Sequence, residues 1–393
     1  MPVEIDPFTT PPEEKRDYLD ALSAYVISYG REISSLPWMM QFIRQERAVA
    51  TSDGAYCTQT TYQAEVAFAI SVRLYGDVEN SVIVPARHLG RAAKGWELVL
   101  DADIIKQIPV MREEGIALLR SPILWPEIGR YDVVFDAKTT AGLVDQTIGM
   151  ATELDRVVGL EANAIGTSYL GPDPLASLGV FNYGTPLLTI SADRAAPEAL
   201  GTVKWDDEAV SPQPYALVER GVVSNFQTTR EQAAWIAPWY QQKNLPIQSN
   251  GCAGAASALD ITMQRSPNLI MKPGAEVLSF EDMVANTRKG YAIIGAQVTV
   301  DHQSRNGASL PKSGRMFEIV NGKLKGWVRE SGGILFSTNE LWKNVTNIGG
   351  SGSVEWSGHK RVKGQPEQTL YHSVAAVPMT VKNVAVIDVT RRA

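Results

Sequence analysis

The chain has 393 residues, 44% hydrophobic and 20% charged, with a formal net charge of −6. It is long enough for two hydrophobic cores, and its acidic balance removes the general electrostatic basis for nucleic-acid binding, which asks for a surplus of Lys and Arg. No run approaches the roughly 18 apolar residues of a membrane span, and the start VEIDPFTTPPEEK lacks the basic and apolar regions of a signal peptide, so the expected location is cytoplasmic, with no membrane partner.

The two cysteines, Cys57 and Cys252, form neither a CxxC pair nor a disulfide framework. Pro11 and Pro12 followed by Glu13 and Glu14 predict a helix start, and Leu19, Leu22, Tyr25, Val26 and Tyr29 recur at helical spacing up to Gly30. Residues 38–50 and 55–62 flank Ser52-Asp53-Gly54, whose Asp-Gly is a hairpin signal. Cys57, on the returning strand, reads as a small buried residue. Residues 63–75 predict a further strand and 104–119 a helix.

Val133 and Phe135 alternate as a strand, Thr139, Thr140 and Gly142 read as a turn, and a helix follows from about Leu143. Residues 187–192 predict a strand. Asp206-Asp207-Glu208 reads as an exposed turn feeding a hairpin, because charge clusters are usually solvated. Ser279 and Asp282 approximate a capping box for a short helix, residues 291–300 a strand, and 316–320 with 324–328 a hairpin about Asn321-Gly322.

Several ordered blocks resemble the TldD/PmbA family of zinc metallopeptidases. They are Glu153, Asp155 and Arg156; Gly166, Thr167, Ser168 and Leu170; Asp206 to Glu208 with Thr228 to Glu231; and Gly364-Gln365-Pro366. The family's His-Glu-x-x-x-His falls on Asp145, Gln146 and Met150, and its later cysteine on Arg361 in a register without gaps, or on Ser357 with one. Asp145 could still ligate, but Met150 is a soft thioether and Gln146 has no proton affinity in the range a general base needs. The resemblance therefore implies a degenerate site of Asp145, Gln146, Met150 and Arg361, no catalytic residue otherwise assigned, and the loss of the zinc that relatives use as cofactor.

The resemblance further implies an α+β fold: a partial α/β N-terminal domain over 1–125 and a larger, mainly antiparallel β domain over 126–393. It points to Glu153, Asp155, Cys252, Arg265 and Asn268 as substrate-binding residues, and to unfolded or small modified peptides as ligands. The implied partner is a second copy or a TldD-type subunit. Three functions compete: a zinc-less subunit shaping a peptide cleft for a metal-bearing partner, an enzyme of altered chemistry drawing on Asp145, Glu153, Arg361 and His359 or His372, and a peptide-binding scaffold homodimer.

His88 and His302 sit in predicted turns and read as surface residues, whereas His359 and His372 flank Arg361. Losing a dication would leave Asp145 without counter-charge, which motivates an ion pair between Asp145 and Arg361 across the old site. The alternative is Arg361 in solvent and a site collapsed around Met150. On an ideal helix positions 145 and 150 lie about 140° apart, so bringing them together needs a local distortion, for which Gly149 offers freedom.

Overall fold

Pro12 opens α1 (Pro12–Ile27), where a missing backbone N–H costs nothing and Glu13 and Glu14 face the positive end of the helix dipole. The computed structural model describes residues 3–74, 80–310, 313–329 and 331–388. Within them the hairpin forms from β1 (Trp38–Ala50) and β2 (Tyr56–Val72), turning at Gly54 with φ +94°. The two strands expected over 55–62 and 63–75 are one strand of 17 residues, because no glycine, proline or turn dipeptide interrupts the chain at their junction. Residue 75 lies outside the described residues. Cys57 is half-buried rather than buried.

α2 (Ile104–Arg120) contains Pro109 and buries Ile104, Ile108 and Met111. These side chains meet Leu22 of α1, Phe68 and Ile70 of β2, and Trp96 in one core. Short strands Ile33–Ser35, Val82–Pro85 and Gly90–Ala92 pair antiparallel with β2. The chain divides into two compact units, Met1–Arg47 with Thr58–Pro122, and Ala48–Cys57 with Ile123–Ala393.

In the second unit, β3 (Gly129–Phe135) leads into α3 (Ala137–Leu143). Asp136 caps α3 by accepting the Thr139 N–H at 2.9 Å, so the helix starts at Ala137 and includes Thr139, Thr140 and Gly142, which were expected to be a turn. β4 (Ile190–Asp193), β5 (Tyr215–Glu219), α4 (Arg230–Trp235) and β6 (Asn268–Met271) follow. Ser279 and Asp282 complete the expected capping box ahead of Phe280–Ala285.

β7 (Lys289–Ile294) ends at Gly295, whose φ of +63° splits the strand expected over 291–300; Thr299–Val300 resumes it. The Asn321-Gly322 hairpin joins Arg315–Val320 to Lys323–Val328. β8 (Glu355–Lys363), β9 (Gln368–Ala376) and β10 (Met379–Asp388) close the unit.

Two sheets dominate the second unit. In a ten-stranded sheet β3 lies between β10, antiparallel, and β7, parallel. In a six-stranded sheet β6 is antiparallel to β4 and parallel to β9, and β8 forms the outer edge beyond β9. Helices with mostly antiparallel strands make this an α+β fold. Phe135, Leu143, Ile148, Leu154, Leu269, Trp342 and Val374 share its core, which sets α3 and the segment after it among the sheets.

Candidate functional site

After α3 the backbone widens. Val144–Gly149 is a π-helix in which the Asp145 carbonyl accepts the Met150 N–H, five residues on. This is the distortion that places 145 and 150 one above the other, and π-turns recur at functional sites. Gly149 is needed for a reason other than backbone freedom. Its φ and ψ of −55° and −55° are ordinary, but a Cβ there would lie 2.6 Å from Leu269 Cδ1 of β6. The Gly149 carbonyl is taken up by Gln227 Nε2 at 2.6 Å.

The strands supply the other side. Alternation along β8 puts His359, Arg361 and Lys363 on one face, and His372 of β9 stands directly across from His359. Asp145, fully buried, receives Arg361 Nη2 at 2.6 Å and His372 Nε2 at 2.7 Å on Oδ1. Gln146 Nε2 donates to Oδ2 at 2.6 Å, and His359 Nδ1 stands 3.6 Å from Oδ2. The expected ion pair is therefore formed, and the alternative of a solvent-facing Arg361 is not adopted. Burial alone would raise the Asp145 pKa; the charge of Arg361, helped by His372 and His359, outweighs it and holds the carboxyl well below the usual range.

Arg361 Nε also donates to Ser266 Oγ at 2.9 Å and lies 3.3 Å from Glu153 Oε1. Glu153 meets Arg156 at 3.1 Å and Lys363 at 3.3 Å, and Lys363 Nζ continues to Asp155 at 2.7 Å and to Gln264. Burial would raise Glu153, but Lys363, Arg361 and Arg156 hold it well below its ordinary value; Asp155 is raised by burial, which Lys363 only partly offsets. Arg305 enters from the loop after Asp301, with Nη2 2.6 Å from Met150 Sδ and 3.3 Å from Gln146 Oε1. Burial, reinforced by Arg156 and Arg361, lowers its pKa to about 10, so it stays charged at neutral pH. Three acids (Asp145, Glu153, Asp155) thus share this region with four cations (Arg156, Arg305, Arg361, Lys363), all buried.

A zinc ion does not fit this donor set. Arg361 and Arg305 are permanent cations without a lone pair to offer, and both are held at the residues that stand in the metal-binding register. Gln146 carries no proton-accepting charge, and both ends of its amide are engaged.

The proposed substrate-binding residues are all buried. Asn268 is saturated: Nδ2 donates to the Asp193 carbonyl and to Thr202 Oγ1, each at 2.9 Å, and Oδ1 accepts the Gly201 and Ser373 N–H groups at 2.8 and 3.0 Å. Arg265 is 1% exposed and donates to the Gly254 carbonyl and to Gln368. Cys252 is fully buried beside the Tyr215 hydroxyl, and burial pushes its thiol up to about 11. Glu153 and Asp155 belong to the charge network just described. Asp206 is also buried rather than a solvated turn residue, because its carboxylate accepts N–H groups from Glu208, Val210 and Ala253. His88 and His302 are exposed, as expected.

Lys363, Arg305 and Ser266 were not foreseen in the site. The alternation 359, 361, 363 beside the Gly-Gln-Pro block could have pointed to Lys363; nothing local marks Arg305.

A family model for the PmbA/TldA metallopeptidase C-terminal domain matches residues 128–387. The chain belongs to the TldD/PmbA family. Among curated relatives of this TldD/PmbA chain, a metalloprotease of Methanothermobacter thermautotrophicus is 28% identical over 260 residues, covering 65% of this chain and 50% of that protein. A metalloprotease of Archaeoglobus fulgidus is 26% identical over 231 residues, covering 56% and 46%. The chain thus spans about half the length of these curated relatives. Among solved structures, TldE from Thermococcus kodakarensis matches with a TM-score of 0.64 at 16% identity, over 94% of this chain and 73% of that one. A Thermotoga maritima protein described as a candidate modulator of a DNA gyrase matches with a TM-score of 0.70 at 17% identity, over 98% and 77%. At such identities the likeness is one of fold.

Proposed function

We propose that this TldD/PmbA-family chain is a zinc-independent, non-hydrolytic subunit that shapes a peptide cleft for a metal-bearing, TldD-type partner. The observation that carries the reading is the 2.6 Å contact between Arg361 and Asp145. In the register without gaps Arg361 falls on the family's later cysteine, and a guanidinium there would repel a second cation. Gln146 in place of a glutamate removes the base that would deprotonate a zinc-bound water. The likeness in fold to a TldE supports the pairing with a partner.

The test is elemental analysis of the purified chain, together with hydrolysis of an unfolded protein with and without a chelator. Zinc far below one ion per chain and no chelator-sensitive cleavage are expected. About one zinc per chain, lost in Asp145→Ala, overturns the reading.

A second reading, metal-independent chemistry by this chain alone, draws on His359. Burial lowers its pKa to about 4 against the pull of Asp145, so it is a neutral imidazole with Nδ1 toward that carboxylate and Nε2 without a hydrogen-bond partner among the described residues. Chelator-resistant cleavage that disappears in His359→Gln would favour it.

A further inference from the structure

A cavity of about 450 Å3 opens on the second unit, away from the π-helix and β8. Its volume falls within the range of about 300–1,000 Å3 typical of ligand pockets. Two irregular segments and one helix line it: Ser211 and Gln213 leading into β5, Ile247 and Gln248, and Arg230 and Ala234 of α4.

Both segments lack backbone partners. Among the described residues, no hydrogen bond involves the main chain of Ser211, Gln213, Ile247 or Gln248, although β5 directly after them is paired to β4. Prolines make the first segment one-sided. Pro212 and Pro214 have no N–H, so the donors in this stretch come from Ser211 and Gln213, alternate residues whose main-chain groups share one edge when the chain is extended. Ser211 and Gln213 both line the cavity, beside Val210, Pro214 and Tyr215 of the same stretch. An edge of this kind recruits another extended chain through its own backbone.

Charge argues for a neutral occupant. Arg230, the residue of the described lining that is charged at neutral pH, has Asp53 3.6 Å from its guanidinium, and its backbone N–H is bonded to the Glu208 carboxylate at 2.7 Å. The local positive charge is already countered.

We infer that this cavity binds an extended, uncharged peptide segment, paired through its backbone to residues 211–213 and 247–248. The inference rests on the peptide-binding part of the proposed function and places a binding site apart from the Asp145–Arg361 centre. Recognition through the main chain is tolerant of sequence.

Calorimetric titration of the full chain with acetyl-tetraalanine amide tests it, beside the same peptide N-methylated at alternate amides. Binding of the first is expected, with at least a tenfold loss for the second. Ala234→Trp, a change at an exposed helix position that fills the cavity, should reduce binding at least tenfold with an unchanged melting temperature. Ile247→Asp, which sets a charge on the opposite wall, should also weaken it. No binding by the wild type at millimolar peptide, equal binding of the N-methylated peptide, or full binding by Ala234→Trp each overturns the site. Peptide binding that survives both Ala234→Trp and Ile247→Asp overturns the cavity assignment and leaves the peptide-binding reading standing, whereas no binding by the wild type overturns both.

Discussion

Arg361→Met is the most direct perturbation of the buried centre, and its cost follows from what the guanidinium touches. It leaves Asp145 with two imidazoles and an amide, and Glu153 with Arg156 and Lys363. A charge pair with centres about 4 Å apart at an effective dielectric of 20 interacts by about 4 kcal/mol. Removing one partner of a buried pair typically costs about 3–5 kcal/mol. Asp145→Ala should cost less, about 2–3 kcal/mol, because Arg361 keeps Ser266 and Glu153 as partners. The double change should fall short of the sum by about 1–3 kcal/mol, since neither charge is then left alone. Urea unfolding monitored by tryptophan fluorescence reads these differences, helped by Trp342, whose Nε1 is bonded to Thr147 Oγ1 at 2.9 Å within the π-helix. Additivity within about 0.5 kcal/mol, or Asp145→Ala costing more than Arg361→Met, would refute the reasoning.

Because the folded pKa of His359 is lowered to about 4, its contribution to stability is present above the unfolded pKa near 6.5 and is lost as pH falls from there to about 4. The loss is on the order of 3 kcal/mol at about 1.4 kcal/mol per unit, and His359→Gln should flatten unfolding midpoints across that window. Asp145 acts at lower pH: its depressed carboxyl contributes stability above about pH 4 that is lost on further acidification, and Asp145→Asn should remove that limb. Gly149→Ala should destabilise by about 1–3 kcal/mol through its collision with Leu269, and Leu269→Ala in the same chain should cost less than additively. The combined change Asp145→His, Gln146→Glu, Met150→His and Arg361→Cys should bind zinc measurably by elemental analysis, and adding Arg305→Ala should tighten it by removing the remaining cation; zinc binding unaffected by Arg305 would show that its charge lies outside the site's field.

The Asp145–Arg361 pair was legible because both ends changed together in one register and a buried carboxylate demands a counter-charge. The need for a distortion between 145 and 150 was legible too, from helical geometry, but its form was not. A π-turn is set by what packs around it, here Leu269 against Gly149 and Gln227 on the freed carbonyl. Arg305, far along the chain, and the burial of Arg265, Asn268 and Asp206 depend on tertiary neighbours that local pattern does not encode. The early start of α3 was readable in principle, since Asp136 stands three residues before Thr139 as a helix cap. The alternation toward a turn at Thr139 and Thr140 obscured it.

The ten residues at the tip of the first hairpin group with the second unit rather than with the strands that carry them. The two units are therefore not two consecutive lengths of polypeptide. A fragment cut at Ile123 would leave behind Asp53, the acid facing Arg230, and during synthesis the tip leaves the ribosome long before the unit it joins. Gene dissection at any single position separates residues that fold together, so exchange of whole segments between relatives has to carry the hairpin tip along with everything after Pro122.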